Sequence, residues 1–530
     1  MMTLVSRVLG LVRDVVIANV MGAGIMADVF LFANKIPNFF RRLFAEGAFA
    51  QAFVPVLSEY HTRDEKRSEH SERSGGNSPE MPLDETRRLI SQVSGTLGVI
   101  ITIVTLFGML ASPLFVILFG GGWFTDWLNN GPESVGGEKF ELAASLLKIT
   151  FPYLWFISFT ALAGAVLNTM GRFAVAAFTP VLLNIAIILM AIYGADYVQS
   201  PAYALAWGVF FGGLIQFLFQ IPFLYKAKVL VKPCWSWNSN GVTKIRKLIV
   251  PALFGVSVTQ INLLLDTLIA SFLVTGSISW LYYADRLLEF PLGLFGIGIA
   301  TVVLPSLAKL HSKNDPKQFT ATLDWGIRVI SLFGWPALTG LMVLAQPIIM
   351  VLFMRGEFSQ QDVLQVSMAL FAYLSGLLSF MFIKVLAPGY YARQDTKTPV
   401  KIGIKAMVAN MAFNLMLAPY FGFVGLAMAT TLSATLNAWL LYRGLKQANI
   451  YHLTKETKLF IGKLMLAAST MALVVYQLSG DFDVWLAMSF FDQISQLTLC
   501  ISAGFLSYFA VIFLLGVRLN DFKVKTKVKV

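Results

Sequence analysis

The sequence predicts an all-α membrane protein with about 14 transmembrane helices, arranged as two parallel six-helix repeats plus two C-terminal helices. Three observations predict it. The 530 residues are 57% hydrophobic and only 13% charged, with a mean hydropathy of +0.69. Soluble domains carry roughly a quarter charged residues, so this chain cannot cover a globule with polar surface. Apolar runs of about 20 residues, the length that crosses a hydrocarbon core as helix, recur along the whole chain. Finally, the cations alternate from loop to loop.

The expected spans are 4–22, 25–59, 89–119, 140–168, 174–195, 201–225, 247–274, 278–308, 326–353, 360–388, 399–418, 421–442, 458–479 and 493–517. Helix is the default for each, because lipid offers no partner to an unpaired peptide group. The second and eighth runs exceed what a bilayer needs and contain Pro37 and Pro291, so a tilt or break is expected there. Segments 121–137 and 479–492 read as loops. Residues 61–88 (HTRDEKRSEHSERSGGNSPEMPLDETRR) read as a flexible cytoplasmic loop.

Alternate loops carry Arg63, Lys66, Arg67, Arg87 and Arg88; Arg172; Lys226, Lys228, Lys232, Lys244 and Arg246; Lys309, Lys313 and Arg328; Arg393 and Lys397; Arg443 and Lys446; then Lys523 to Lys529. The intervening loops carry little beyond Lys139 and Arg355. The positive-inside rule then places both termini in the cytoplasm. It also absorbs the net charge of +12, which in a soluble protein would suggest nucleic acid; no nucleic-acid partner is expected here. Cys234 and Cys500 lie too far apart in the chain to suggest a disulfide framework or cysteine metal site.

The halves resemble each other. FANKI at 32–36 matches YADRL at 283–287, and VPVLSEY from Val54 matches LPSLAKL from Leu304. LNTMGRFAVAAFTPV from Leu167 matches LAPGYYARQDTKTPV from Leu386. The offset falls from 251 to 219 across the polar insert 61–88, which only the first half contains. Six spans per half restore orientation, so the repeats are parallel about an axis along the membrane normal. This divides the chain into 1–225, 226–446 and an accessory 447–530 that holds the last two spans.

Charges at bilayer depth cost at least about 2.5–3.5 kcal/mol, so they should face protein or water. Arg7, Arg13 and Asp14 lie in the first span; Asp28, Lys35, Arg41, Arg42 and Glu46 in the second; Asp285, Arg286 and Glu289 in the eighth. Arginine stays ionised when partly dehydrated, and its fork matches phosphate oxygens. Arg7, Arg13, Arg41 and Arg286 are therefore candidates for holding an anionic, phosphorylated head group. Asp14, Lys35, Asp285 and Glu289 are candidates for the supporting ion pairs. A second constellation, Asp266, Asn410, Asn414 and Thr430, offers oxygens of the type a sodium ion accepts, and equally suits interhelical hydrogen bonding. No Walker, HExxH or GxSxG motif occurs, so ATP hydrolysis and hydrolase chemistry have no support; the chain is not expected to be an enzyme or to carry a cofactor.

Four stretches carry a family resemblance: SRVLGLVRDVVIANVMGAGIMADVF (6–30), KIPNFFRRLFAEGAFAQAFVPVLSEY (35–60), SWLYYADRLLEFPLGLFGIGIATVVLPSL (279–307) and KVLAPGYYARQDTKTPVKI (384–402). They resemble the MurJ/MviN lipid II flippases of the MOP exporter superfamily. The resemblance implies two six-helix lobes around a cationic cavity, with helices thirteen and fourteen forming a groove for a polyprenyl tail. It implies transport of the undecaprenyl-diphosphate-linked peptidoglycan precursor from the cytoplasmic to the periplasmic leaflet of the inner membrane. The family's essential arginines match Arg7, Arg13, Arg41 and Arg286, and its cavity acid matches Asp28. Members with a sodium site take ligands from the positions of Asp266, Asn410, Asn414 and Thr430; one of the helix-eleven ligands is an acid there and Asn here. Coupling to Na+ or H+ is thus one expectation, and contact with membrane lipids and the cell-wall synthesis machinery another. The alternative reading is a MATE-like cation-coupled drug or metabolite antiporter.

Overall fold

A computed structural model describes residues 2–43, 48–73 and 84–518. The described residues are helical, with no strand, and fall into two compact units, 1–278 and 279–530.

The first unit holds α1 (Met2–Met21), α2 (Ile25–Arg41), α3 (Ala48–Arg73), α4 (Asp84–Leu110), α5 (Ser112–Phe119), α6 (Gly121–Asn130), α7 (Val135–Thr150), α8 (Pro152–Thr169), α9 (Phe173–Leu189), α10 (Pro201–Lys226) and α11 (Asn240–Ala270). The second begins within α12 (Ser277–Pro291) and holds α13 (Ile297–Ser312), α14 (Pro316–Val343), α15 (Ala345–Phe353), α16 (Gln360–Leu374), α17 (Leu377–Tyr391), α18 (Lys397–Gln447), α19 (Lys455–Ser479), α20 (Phe482–Ala487) and α21 (Phe490–Leu514). Repeat and packing divide the chain at different points, because α11 packs on α3, α4 and α5 of the first unit.

Ten helical stretches among the described residues are long and apolar enough to cross a membrane. One of them, the 51-residue α18, bends at Gly422, whose φ of 57° and ψ of −136° lie outside the helical region, so it carries two of the expected spans. Helices α1, α2, α3 and α11 occupy the remaining expected spans and are not among the ten. The break expected near Pro291 is present as a π-helical turn at 292–296.

Three loop expectations are corrected. The insert is not loop from residue 61: α3 runs to Arg73 and α4 starts at Asp84. Asp64 explains the order, since its carboxylate accepts the Thr86 N–H at 2.8 Å and the Glu85 N–H at 3.3 Å, capping α4 across the insert. Segment 121–137 is likewise mostly helix, with Trp123 of α6 buried against Phe32, and segment 479–492 holds α20 and the start of α21.

The core of the first unit joins α3, α4, α8 and α11 through Phe53, Leu57, Leu89, Val93, Val166 and Ile245. Between α10 and α11 the chain crosses α4 as a strap. The Cys234 N–H donates to Ser91 O at 2.9 Å and the Ser91 hydroxyl to Lys232 O at 2.6 Å. Gly95 lies directly beneath the Cys234 backbone, where a Cβ has no room. In the second unit α19 and α21 bury one face against α14 and α15, through Leu332, Leu344, Leu464, Met471 and Tyr508. The two helices outside the repeat are therefore docked parts of that unit. Their other faces leave Leu466, Leu473, Phe505 and Leu506 exposed, as lipid-facing helices do.

Candidate functional site: charges inside apolar helices

In the first unit, Arg13 and Asp14 are neighbours on α1. The Arg13 Nη2 and Nε atoms donate to Asp14 Oδ1 at 2.7 and 3.0 Å, and Nη1 donates to Asn184 Oδ1 of α9 at 3.1 Å. Asn184 in turn donates to Ser6 O at 3.3 Å. Asp14 is buried and Arg13 nearly so, with 14% of its side chain exposed. The guanidinium is thus fixed in direction by three hydrogen bonds to two partners. Arg7, almost two turns earlier, is exposed.

On α2, Asp28 is fully buried. Its Oδ2 accepts the Gly276 N–H at 2.7 Å and the Lys139 ammonium of α7 at 3.3 Å. Lys139 also lies over the Trp123 ring, 5.5 Å from its centroid. Further along α2, Lys35 donates to the Thr267 hydroxyl of α11 at 3.3 Å, one residue after Asp266. Arg41, the last residue of α2, donates to Asn38 Oδ1 at 2.9 Å. Glu46 lies outside the described residues.

In the second unit, Arg286 of α12 donates to Glu289 Oε2 at 2.9 Å and to the Tyr282 hydroxyl at 3.2 Å, and lies over the Tyr282 ring. Its side chain is 34% exposed; Asp285 and Glu289 are exposed. The second constellation divides between the units. Asp266 is in the first, whereas Asn410, Asn414 and Thr430 meet in the second. Asn414 Nδ2 donates to Asn410 Oδ1 at 3.1 Å, and Asn410 Nδ2 reaches Thr430 Oγ1 at 3.5 Å. Their donor chemistry fits a hard monovalent cation, and their mutual bonds also serve as interhelical glue.

Sequence reading missed two groups. Lys139 was assigned to an exterior loop, yet it is the buried counter-charge of Asp28; the helical spacing of the apolar residues after it was the available signal. Asp324 of α14 was missed altogether. It accepts from Thr457 Oγ1 at 2.5 Å, Arg328 Nε at 2.9 Å and the Tyr451 hydroxyl at 3.0 Å, pinning the start of α19. The i,i+4 spacing of Asp324 and Arg328 was visible, but Arg328 was counted only towards topology.

Paired and oriented charges inside the helices of a multi-span protein are the common feature of these sites, and solved structures give the chain a fold class. A solved MATE-family multidrug transporter of the MOP superfamily, inward-facing, matches at a TM-score of 0.64 with 13% identity, covering 84% of this chain and 94% of that one. A solved lipid II flippase MurJ in an inward closed conformation matches at a TM-score of 0.76 with 27% identity, covering 97% of each chain. The family model described as lipid II flippase MurJ matches residues 17–495. The probable lipid II flippase MurJ of Vibrio cholerae is 58% identical over 526 residues, 99% of this chain and 96% of that protein. The lipid II flippase MurJ of Burkholderia cenocepacia is 37% identical over 531 residues. The chain belongs to the MurJ family of lipid II flippases.

Proposed function

We propose that the protein moves lipid II, the lipid-linked peptidoglycan precursor, across the bacterial inner membrane from the cytoplasmic to the periplasmic leaflet. The observation that carries this is full-length similarity to lipid II flippases, joined to arginines inside apolar helices. It is transport, and no bond is made or broken. The diphosphate engages Arg7, Arg13, Arg41 and Arg286, while Asp14 and Glu289 orient the guanidinium groups beside them. Asp28 acts through Lys139 and the Gly276 backbone rather than on the head group itself. The polyprenyl tail stays in lipid along α19 and α21, and the head group crosses by alternating access. Both termini stay in the cytoplasm, where the basic loops meet the cell-wall synthesis machinery.

A Na+ or H+ gradient, or the membrane potential, supplies the drive; one charge crossing 100 mV releases about 2.3 kcal/mol. If Asp266, Asn410, Asn414 and Thr430 hold sodium, then sodium raises the thermal midpoint of purified protein more than potassium does, and Asp266→Ala removes the difference. Equal stabilisation by both salts eliminates the sodium reading. The antiporter alternative shares the fold, but the solved MATE transporter covers less of the chain than the solved flippase does.

The decisive experiment is depletion in cells with an assay of which leaflet holds the precursor. Accumulation in the cytoplasmic leaflet is expected, and an unchanged distribution overturns the proposal. Arg13→Ala and Arg286→Ala are expected to fail in the same assay at normal expression.

A further inference from the structure

Among the buried side chains of the first unit whose polar atoms make no hydrogen bond to the protein, three lie on the facing helices α8 and α10. Gln216 and Gln220 of α10 are 2% and 1% exposed, and Thr160 of α8 is 4% exposed. The unpaired atoms are Thr160 Oγ1, Gln216 Oε1, and both Oε1 and Nε2 of Gln220. Lipid supplies no partners, so a dry interior would leave all four unpaired.

The three residues lie on facing stripes of neighbouring helices. Helices α8 and α10 run in the same direction: a Cβ on Gly213 would meet Tyr153 and Phe156, the Phe159 ring lies 5.8 Å from Phe217, and a Cβ on Gly164 would lie 3.9 Å from Gln220 Nε2. Phe156, Thr160 and Gly164 form one helical stripe, and Gly213, Gln216 and Gln220 the facing one. Thr160 therefore sits level with Gln216. The same Gly164 position would bring a Cβ 3.4 Å from Ala176 of α9, so three helices enclose the cluster.

The hydrogen-bond ladder of α9 lacks one bond at this level. Pro180 has no N–H, so Ala176 O loses its helical partner and takes the Thr179 hydroxyl instead, at 2.9 Å. Gln216 Nε2 donates to Thr179 O at 2.8 Å, which holds that amide and leaves its oxygen without a protein partner.

We propose that Thr160, Gln216 and Gln220 form a binding site for one or two internal water molecules beside Pro180. The unpaired set decides the ligand class. It mixes acceptors with the Gln220 amide donor, and a metal ion satisfies only acceptors. Water offers both, and buried water typically makes about three such bonds. The site is independent of what the protein transports. It gives α9 exchangeable partners at the point where its own hydrogen-bond ladder is broken.

The test uses the full chain in lipid nanodiscs and two variants of matched shape, Gln220→Met and Thr160→Val. If water fills the site, each variant strands a water partner and lowers the thermal midpoint. Radiolytic hydroxyl labelling, which is generated from bound water, then marks Tyr153 and Phe156 in the parent and falls several-fold in Gln220→Met. If the site is dry, both variants remove unpaired polar groups, and the midpoint rises or stays put. A raised or unchanged midpoint in both variants, or absence of label in the parent, overturns the proposal.

Discussion

Asp28 and Asp324 are both buried carboxylates, one in each unit, and they are held in different ways. Asp28 answers to partners far away in sequence: an ammonium on α7 and a backbone N–H at Gly276. Asp324 pairs with Arg328 one turn along its own helix and takes two hydroxyl bonds from the region where α19 begins. Arg328 keeps 18% of its side chain exposed, against 4% for Lys139. A charge shared with hydroxyls and a partly wet guanidinium loses little when one bond is cut. A charge sealed with one ammonium and a backbone N–H keeps a hydrogen bond but loses its counter-charge when the ammonium is removed.

The largest effect that sharpens this contrast is expected from Lys139→Met. It removes the buried ammonium that pairs with Asp28 and costs about 3–5 kcal/mol, read as a lower thermal midpoint and a lower yield of folded protein. Adding Asp28→Leu recovers most of that loss. If the single change is as mild as a surface substitution, Asp28 is not sealed and the contrast is broken. Next comes Asp324→Asn, expected to cost about 1–3 kcal/mol, with proteolysis near 448–456 rising before global unfolding. Uniform loss of the whole unit would show that the network is not local.

Tyr451→Phe is smaller, about 1 kcal/mol. Burial first, then the neighbouring Asp324 carboxylate, push this phenol far above its ordinary range, so it stays neutral and the cost does not vary with pH between neutral and mildly alkaline conditions. Smallest of all is Glu59→Gln. Glu59 pairs with Lys244 and Arg63 in solvent, and the Lys244 hydrogen bond leads in holding its carboxyl below the usual value. A lowered folded value means the contribution is present above the ordinary carboxylate range and is lost as pH falls through the folded value. Salt should erase it at neutral pH. A salt-insensitive effect as large as that of Tyr451→Phe would sink the assignment of Glu59 as a solvated pair.

Most spans were legible because a lipid-facing helix advertises itself by apolar length. The repeat was legible because its matches keep nearly constant offsets on either side of the 61–88 insert. What escaped is pairing. Lys139 and Arg328 were visible as cations, but the positive-inside rule counts charge without asking what it touches. The Thr-Pro-Val of each half shows the same limit. In the second half Asp395 accepts the Thr398 N–H at 3.0 Å, so α18 begins just before its proline. In the first half Ala176 occupies the matching position and offers no cap. There α9 starts at Phe173 and Pro180 falls in its interior, where it opens the ladder beside Gln216. One residue, several positions from the motif, decides whether proline starts a helix or interrupts it.

The strap over Gly95 carries a practical consequence. Of the two thiols, Cys234 on the strap is exposed and Cys500 is buried in α21. A maleimide fluorophore added to the native chain should therefore attach at a single place, without cysteine removal or insertion. The dye would report on the strap beside the stacked Trp235 and Trp237 rings, whose indoles can quench it. The chain thus has a built-in position for a spectroscopic reporter, one that follows movement of the strap against α4 during turnover.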